Sequence, residues 1–144
     1  MSHKAVLKTK INNKESLLQT LDILGITYQV AEKTNALQIT SRFNVKADVD
    51  ILLLKDAKGM NINAVGFTQN TDGSFEATGD FYEISGAVTK DNERLNEDHF
   101  KDVITKRYMY IQAVKQMTQI GLTVSQDVSN FKNEELNFVM SSQF

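Results

Sequence analysis

The sequence predicts an α+β fold, a mostly antiparallel sheet with two helices packed on one face. Three observations carry that expectation. Two stretches place apolar residues at three- and four-residue spacing: Leu17, Leu18, Leu21 and Leu24 in one, and Phe100, Val103, Ile104, Tyr108, Ile111, Val114 and Met117 in the other. Several shorter stretches alternate or run apolar between turn signals, as strands do. The two helical stretches also end alike. LLQTLDILGITYQV (17–30) and AVKQMTQIGLTVSQ (113–126) align on Gly25 and Gly121, each with an aliphatic–Gly–aliphatic–Thr junction. A Gly just past the last turn closes a helix in the left-handed conformation at little steric cost.

The elements follow in order. AVLKTKI (5–11) is a first strand, and Asn12 or Asn13 caps the first helix; with Asn12 as cap, Glu15 falls at the third helical position. After Gly25, the alternation of Ile26, Tyr28 and Val30, a turn at Glu32–Asn35, and the alternation of Leu37, Ile39, Ser41 and Phe43 predict a hairpin. VDILLL (49–54) is a nearly continuous apolar run, the pattern of a central strand buried on both faces. The segments 61–69 and 74–82 flank Asp72–Gly73, a hairpin turn signal, and Gly66 and Gly79 inside them mark a bulge or the close approach of another backbone. Residues 85–95 are polar and read as loop. Asn96 caps the second helix, Gly121 ends it, and a closing hairpin turns around Asn130–Asn133.

The chain of 144 residues is expected to form one domain, 1–144. The matched junctions fit either a pseudo-two-fold repeat of helix–Gly–hairpin units, near 12–43 and 96–141, or the chance recurrence of a common helix ending.

Composition narrows function mainly by exclusion. With no Cys, disulfides, thiolate metal sites and Cys nucleophiles are excluded. A formal charge of −2 argues against nucleic acid as the partner, which would favour a basic surface. One local exception is His3, Lys4, Lys8, Lys10 and Lys14, which precede the first acid, Glu15; this cluster either touches phosphate or is a solvated face. The start MSHKAVLKTK lacks the apolar core of a signal peptide, and no run approaches the length of a membrane span, so a cytoplasmic protein off the membrane is expected. Zero Pro excludes polyproline recognition segments.

The catalytic inventory is thin. The two His, His3 and His99, lie far apart, and His99 sits in the first turn of the second helix, where capping suits it better than ligation. HExxH, GxSxG, P-loop and GxGxxG motifs are all absent, so no catalytic residue, metal or cofactor is assigned. Glu76 and Asp80 share a strand face but stand about 13 Å apart along it, too far for an acid–base pair, and Asp80 suits backbone groups beside Gly79. The most distinctive cluster is Lys106-Arg107-Tyr108-Met109-Tyr110. There, Arg107 either offers a guanidinium to a carboxylate or phosphate with Tyr110 stacked beside it, or covers the helix flank with Lys106 and Tyr110 around a core Tyr108.

The MSH start, the helix ending LGI, GFTQNTDGSFEATGDF (66–81) and above all VITKRYMYIQAVKQMTQIGLTV (103–124) resemble a family of uncharacterised proteins. That family is encoded in cyanobacteria and in red-algal and related plastids, as hypothetical chloroplast reading frame thirty-five, with relatives in bacteria and phages. The likeness covers most of residues 1–128, and its most specific parts are the MSH start, Arg107–Tyr108 with Tyr110, and the Gly-ended second helix. The chain departs at Lys4, where the family has an aromatic, and in lacking Trp after the middle hairpin, where Phe81 and Tyr82 are the nearest rings. The resemblance implies no established activity. It implies an AAA-class ATPase system as a partner, and Lys-, Asn- and Ile-rich composition without Pro fits a phage-encoded member.

Two function classes are therefore expected. One is a non-enzymatic binding or adaptor protein, working with a protein partner or as a homodimer. The other binds a small anion or nucleotide in a cleft lined by Arg107, Tyr110 and Lys106 together with His3, Lys8 and Lys10. A third reading, an acid–base or metal enzyme using His3, Asp80 or Glu83, has no motif behind it.

Overall fold

The computed structural model describes residues 4–33, 35–124 and 140–142, and the predicted α+β class is what it shows. The chain opens with β1 (Ala5–Lys8) and α1 (Lys14–Ile23). Asn13 is the cap of α1, its side chain accepting from Ser16 N at 2.9 Å. Leu17, Leu21 and Leu24 are buried, and Gly25 at φ +79° ends the helix. There Ile26 N bonds Leu21 O and Gly25 N bonds Asp22 O, the paired closing bonds that satisfy the last carbonyls.

The strands β2 (Thr27–Val30), β3 (Leu37–Gln38), β4 (Asp48–Val49), β5 (Ile51–Lys55), β6 (Val65–Gln69) and β7 (Phe75–Gly79) follow. A five-stranded sheet has the order β1-β7-β6-β5-β2, with every neighbouring pair antiparallel. The β6–β7 turn is built as expected: Gly73, at φ +92°, donates to Asn70 O, and Asn70 N donates to Ser74 O.

The predicted hairpin of 26–30 with 37–43 does not form. β2 pairs with β5, while β3 pairs with β4 in a separate two-stranded ladder. The run 49–54 explains the change. Asp50 interrupts it, donating its N–H to Phe67 O and accepting the N–H of Ala31 at its C=O, so the chain bends from β4 into β5. β5 then offers both an edge to β2 and apolar side chains to both faces. Ile51 and Leu53 join the main core, while Leu52 packs with Val49 and Ile39 in a second small cluster. Leu37 and Ile39 are thus drawn over the far face of the sheet rather than alongside β2.

A 3₁₀ turn (Phe81–Ile84) leads through residues 85–96 to α2 (Glu97–Gln119). Both helices cover the same face of the sheet. Leu17 and Leu21 of α1, and Phe100, Ile104 and Tyr108 of α2, share one core with Val65, Phe67, Phe75 and Ala77. Phe100 is the hinge of that packing, with ring centroids 5.8 Å from Phe67 and 5.2 Å from Phe81. Polar ties fix the helices to each other. Ser16 Oγ donates to Gln112 Oε1 at 2.6 Å and accepts from Lys115 Nζ at 2.8 Å, and Tyr108 Oη accepts from Asn13 N at 3.1 Å.

Gly121, at φ +87°, closes α2 much as Gly25 closes α1, and β8 (Leu122–Val124) pairs antiparallel with β9 (Met140–Ser142). The two junctions share geometry, but their continuations differ: β2 enters the five-stranded sheet and β8 pairs only with β9. The turn expected around Asn130–Asn133 lies outside the described residues.

Candidate functional site

The expected cluster on α2 divides between interior and surface. Lys106 is exposed, Tyr108 is core, and Arg107 and Tyr110 are buried, at 2% and 1% exposure. Arg107 Nη2 lies 3.5 Å from Asp91 Oδ2, on the hairpin turn 88–94 that is closed by the Val88–Arg94 bridge. The guanidinium thus fastens α2 to that turn. Lys8 and Lys10 are exposed, Lys8 on β1 opposite Glu76 of β7, and neither is among the residues lining the cleft at Lys106. His3 lies outside the described residues. The alternation along β1 explains the division. Ala5 and Leu7 pack toward the helices, so Val6 and Lys8 face the other way.

Three concave features stand out. The first is an apolar groove of about 350 Å³ between the helices, walled by Ile23, Ile111 and Val114 and rimmed by Gln19, Asp22 and Lys115. Ser16, one turn before Gln19 on α1, is tied to Gln112 and Lys115 on α2, so the groove lies beside the bonds that hold the two helices together. Asp22 also touches Tyr28, whose hydroxyl is pushed above its ordinary range by burial and by that neighbouring carboxylate.

The second is a cleft of about 300 Å³ in which Lys106 meets Arg94 and His99, with Glu93, Asp102 and Val103 completing the wall. His99 Nδ1 is 2.7 Å from Asn96 Oδ1, so the helix cap fixes the ring. His99, Asp102, Val103 and Lys106 share one face of α2 at i, i+3, i+4 and i+7, and Arg94 joins them through the turn that brings 88–94 back against the helix, a pairing no local periodicity reports.

The third is a cleft of about 350 Å³ on the side of the 3₁₀ turn, between residues 40–42, 60–64 and Glu83. Glu83 Oε1 accepts from Arg42 N at 2.9 Å and from Arg42 Nε at 3.0 Å. Asp80, fully buried, caps the turn by accepting from Tyr82 N, as its place beside Gly79 suggested. Neither Arg42 nor Asn63 stood out in the sequence, because the segment 40–47 is placed by packing of Ile39 over Leu52, a contact no local pattern reports.

Asp56 is the most heavily solvated carboxylate by protein groups. Burial pushes its carboxyl upward, but backbone N–H groups of Val88, Met60, Lys58 and Gly59 outweigh that and hold it below the ordinary carboxylate range. Its work is structural, stapling the β5–β6 turn to the 85–95 segment. Among the described residues, no three His, Asp or Glu side chains converge as a metal site, and no helix is long and apolar enough to cross a membrane. Comparison with protein-family models, with curated proteins and with solved structures found no match to this chain.

Proposed function

We propose that this protein is a non-enzymatic binding or adaptor protein whose partner docks an aliphatic side chain into the groove between α1 and α2. The observation that supports it is the groove itself, apolar along Ile23, Ile111 and Val114 and flanked by charges of opposite sign at Asp22 and Lys115. Such a rim favours a helix or strand that offers an apolar anchor between polar neighbours, the anatomy of protein interfaces. The first partner to try is an AAA-class ATPase system, which the resemblance to the chloroplast reading frame thirty-five family suggests, and the second is another copy of the chain, phage-encoded or otherwise. A pull-down with the wild-type chain should retain a specific protein partner, or sedimentation should show a dimer, and Val114→Asp should abolish either while leaving the far-ultraviolet circular dichroism unchanged. Failure to find any protein partner or dimer would overturn this reading.

A second reading rests on the Lys106 cleft. There Arg94 and His99 supply the basic lining first expected of Arg107, and such a set suits a small anion or a nucleotide phosphate. Saturable thermal stabilisation by one anion, lost in Lys106→Ala, would favour it over the docking reading.

A further inference from the structure

The pairs Ala5–Gly79 and Thr27–Lys55 set the starts of β1 and β2 beside the ends of β7 and β5, with Val65 of β6 also paired to Gly79, at one end of the five-stranded sheet. The turn 56–60, the segment 61–64 and the 3₁₀ turn lie at that end. Loop 40–46 joins them, because Thr40 N donates to Asn63 O at 2.8 Å and Arg42 bonds Glu83. Residues 88–90 return to the same place, where Val88 O accepts from Ala57 N and Lys90 N donates to Leu24 O.

Charge is sorted in these stretches. Lys4, Arg42, Lys46, Lys55, Lys58 and Lys90 are all exposed. The acids are not: Asp56 and Asp80 are buried, the Glu83 side chain is 8% exposed, and each accepts bonds from protein N–H groups. Asp91, the next acid along the chain, sits against Arg107. Arg42 shares its charge with Glu83, but the five lysines make no ion pair among the described residues. The chain carries −2 overall, yet this end is positive. At physiological salt a charge is felt over about 8 Å, so a ligand meets the local set and not the total. Exposed rings stand in the same stretches: Phe43 at 55% and Tyr82 at 54%, with Met60 at 36%. The Arg42 guanidinium carbon lies 5.7 Å from the centre of the Phe43 ring. The cleft of about 350 Å³ between them is lined by Thr40, Asn61 and Asn63.

We propose that this end of the sheet binds single-stranded nucleic acid, its lysines meeting phosphates and its exposed rings stacking bases. Cations interleaved with exposed aromatic rings are what an unpaired strand requires, since every base has a face to stack and every linkage a charge. A duplex keeps those faces stacked on one another. An acidic peptide or an anionic bilayer would use the cations alone, and the cleft favours a base over both. Carboxylates only accept hydrogen bonds, whereas Asn and Thr side chains, like base edges, both donate and accept. The site is independent of the α1–α2 groove and of the Lys106 cleft, with which it shares no residue.

The test is fluorescence anisotropy of the full chain with labelled oligo-U and oligo-dT of about twelve nucleotides. A duplex of equal length, labelled polyglutamate and phosphatidylserine vesicles are the comparison arms. At least one single strand should bind saturably, with affinity falling as salt rises, and the two oligomers separate RNA from DNA. Lys55→Ala combined with Lys58→Ala should make the logarithmic salt slope shallower by about 1.4, two phosphate contacts at about 0.7 each. Phe43→Ala combined with Tyr82→Ala should weaken binding about fivefold or more and leave that slope unchanged, because it removes stacking and no charge. Lys106→Ala, in the other basic cleft, should change neither. All five side chains are exposed, so circular dichroism should match the wild-type chain throughout. Absence of binding to both single strands overturns the assignment. So does equal or tighter binding of the duplex, polyglutamate or the vesicles, a ring-deleted variant that binds as well as wild type, or binding lost in Lys106→Ala.

Discussion

Asp56 gathers three backbone N–H groups from two stretches of chain with one side chain: Oδ1 takes those of Lys58 and Met60, and Oδ2 that of Val88. Because its folded-state value is held below that of the unfolded chain, about 3.9, its contribution is fully present above that pH. It is lost as the pH falls through the folded-state value. Asp56→Asn turns an N–H₂ toward one of these donors and should cost about 2 kcal/mol at neutral pH. Urea unfolding of both forms checks this, and the gap between them should narrow below pH ~4. The sequence marks Lys55–Gly59 as a turn but says nothing of Val88, since that bond spans 32 positions and depends on the loop folding back. Arg107 teaches the same lesson in reverse. Its residue type advertised a ligand, and its position on a helix facing the 88–94 turn gave it an internal acid, Asp91.

At the scale of elements, glycine was the most legible signal. Gly25 and Gly121 both adopt the positive φ that their place after a helix predicted, and Gly79 shows the close backbone approach expected of a glycine inside a strand. A Cβ at Gly79 would lie 2.0 Å from Ala64 O, whereas one at Gly25 would meet Ala57 Cβ at 3.1 Å. Gly25→Ala should therefore cost roughly 1–2 kcal/mol, the strain of a left-handed L-residue, and Gly79→Ala clearly more, since a backbone oxygen cannot turn aside. Chemical denaturation of the two variants gives the order directly; equal midpoints would contradict it. Strand pairing was less legible than strand position. The alternation of residues 26–30 and 37–43 gave the faces correctly for several positions, but adjacency in sequence suggested the wrong neighbour. β2 found a longer apolar partner in β5, and Leu37 and Ile39 found Val49 and Leu52. Local patterns encode which face is apolar; they do not encode which edge is nearest.

For the whole molecule, one ring joins the layers. Phe100 enters from the first turn of α2, meets Phe67 of the sheet and stands edge-on to Phe81 of the 3₁₀ turn. Phe100→Ala should cost about 3–5 kcal/mol and lower the urea midpoint by tyrosine fluorescence and circular dichroism together, because one core serves both layers. The apolar stripe of α2 made Phe100 a visible core residue, and the two-layer α+β arrangement followed from the same stripes. The grooves did not, because each is made where residues distant in sequence are brought side by side.

The hydroxyl of Tyr108 has a consequence for the time at which the chain can fold. It accepts the Asn13 N–H, 95 positions earlier, at the start of α1, and β1 just before it completes its ladder only against β7. A ribosome therefore delivers the first strand and first helix well before either has a partner, β1 waiting for β7 and α1 for α2. Contacts of such sequence separation slow refolding relative to a chain of local contacts. A permuted chain that begins at β2, with β1 and α1 carried to its end, would deliver those pieces onto a finished surface.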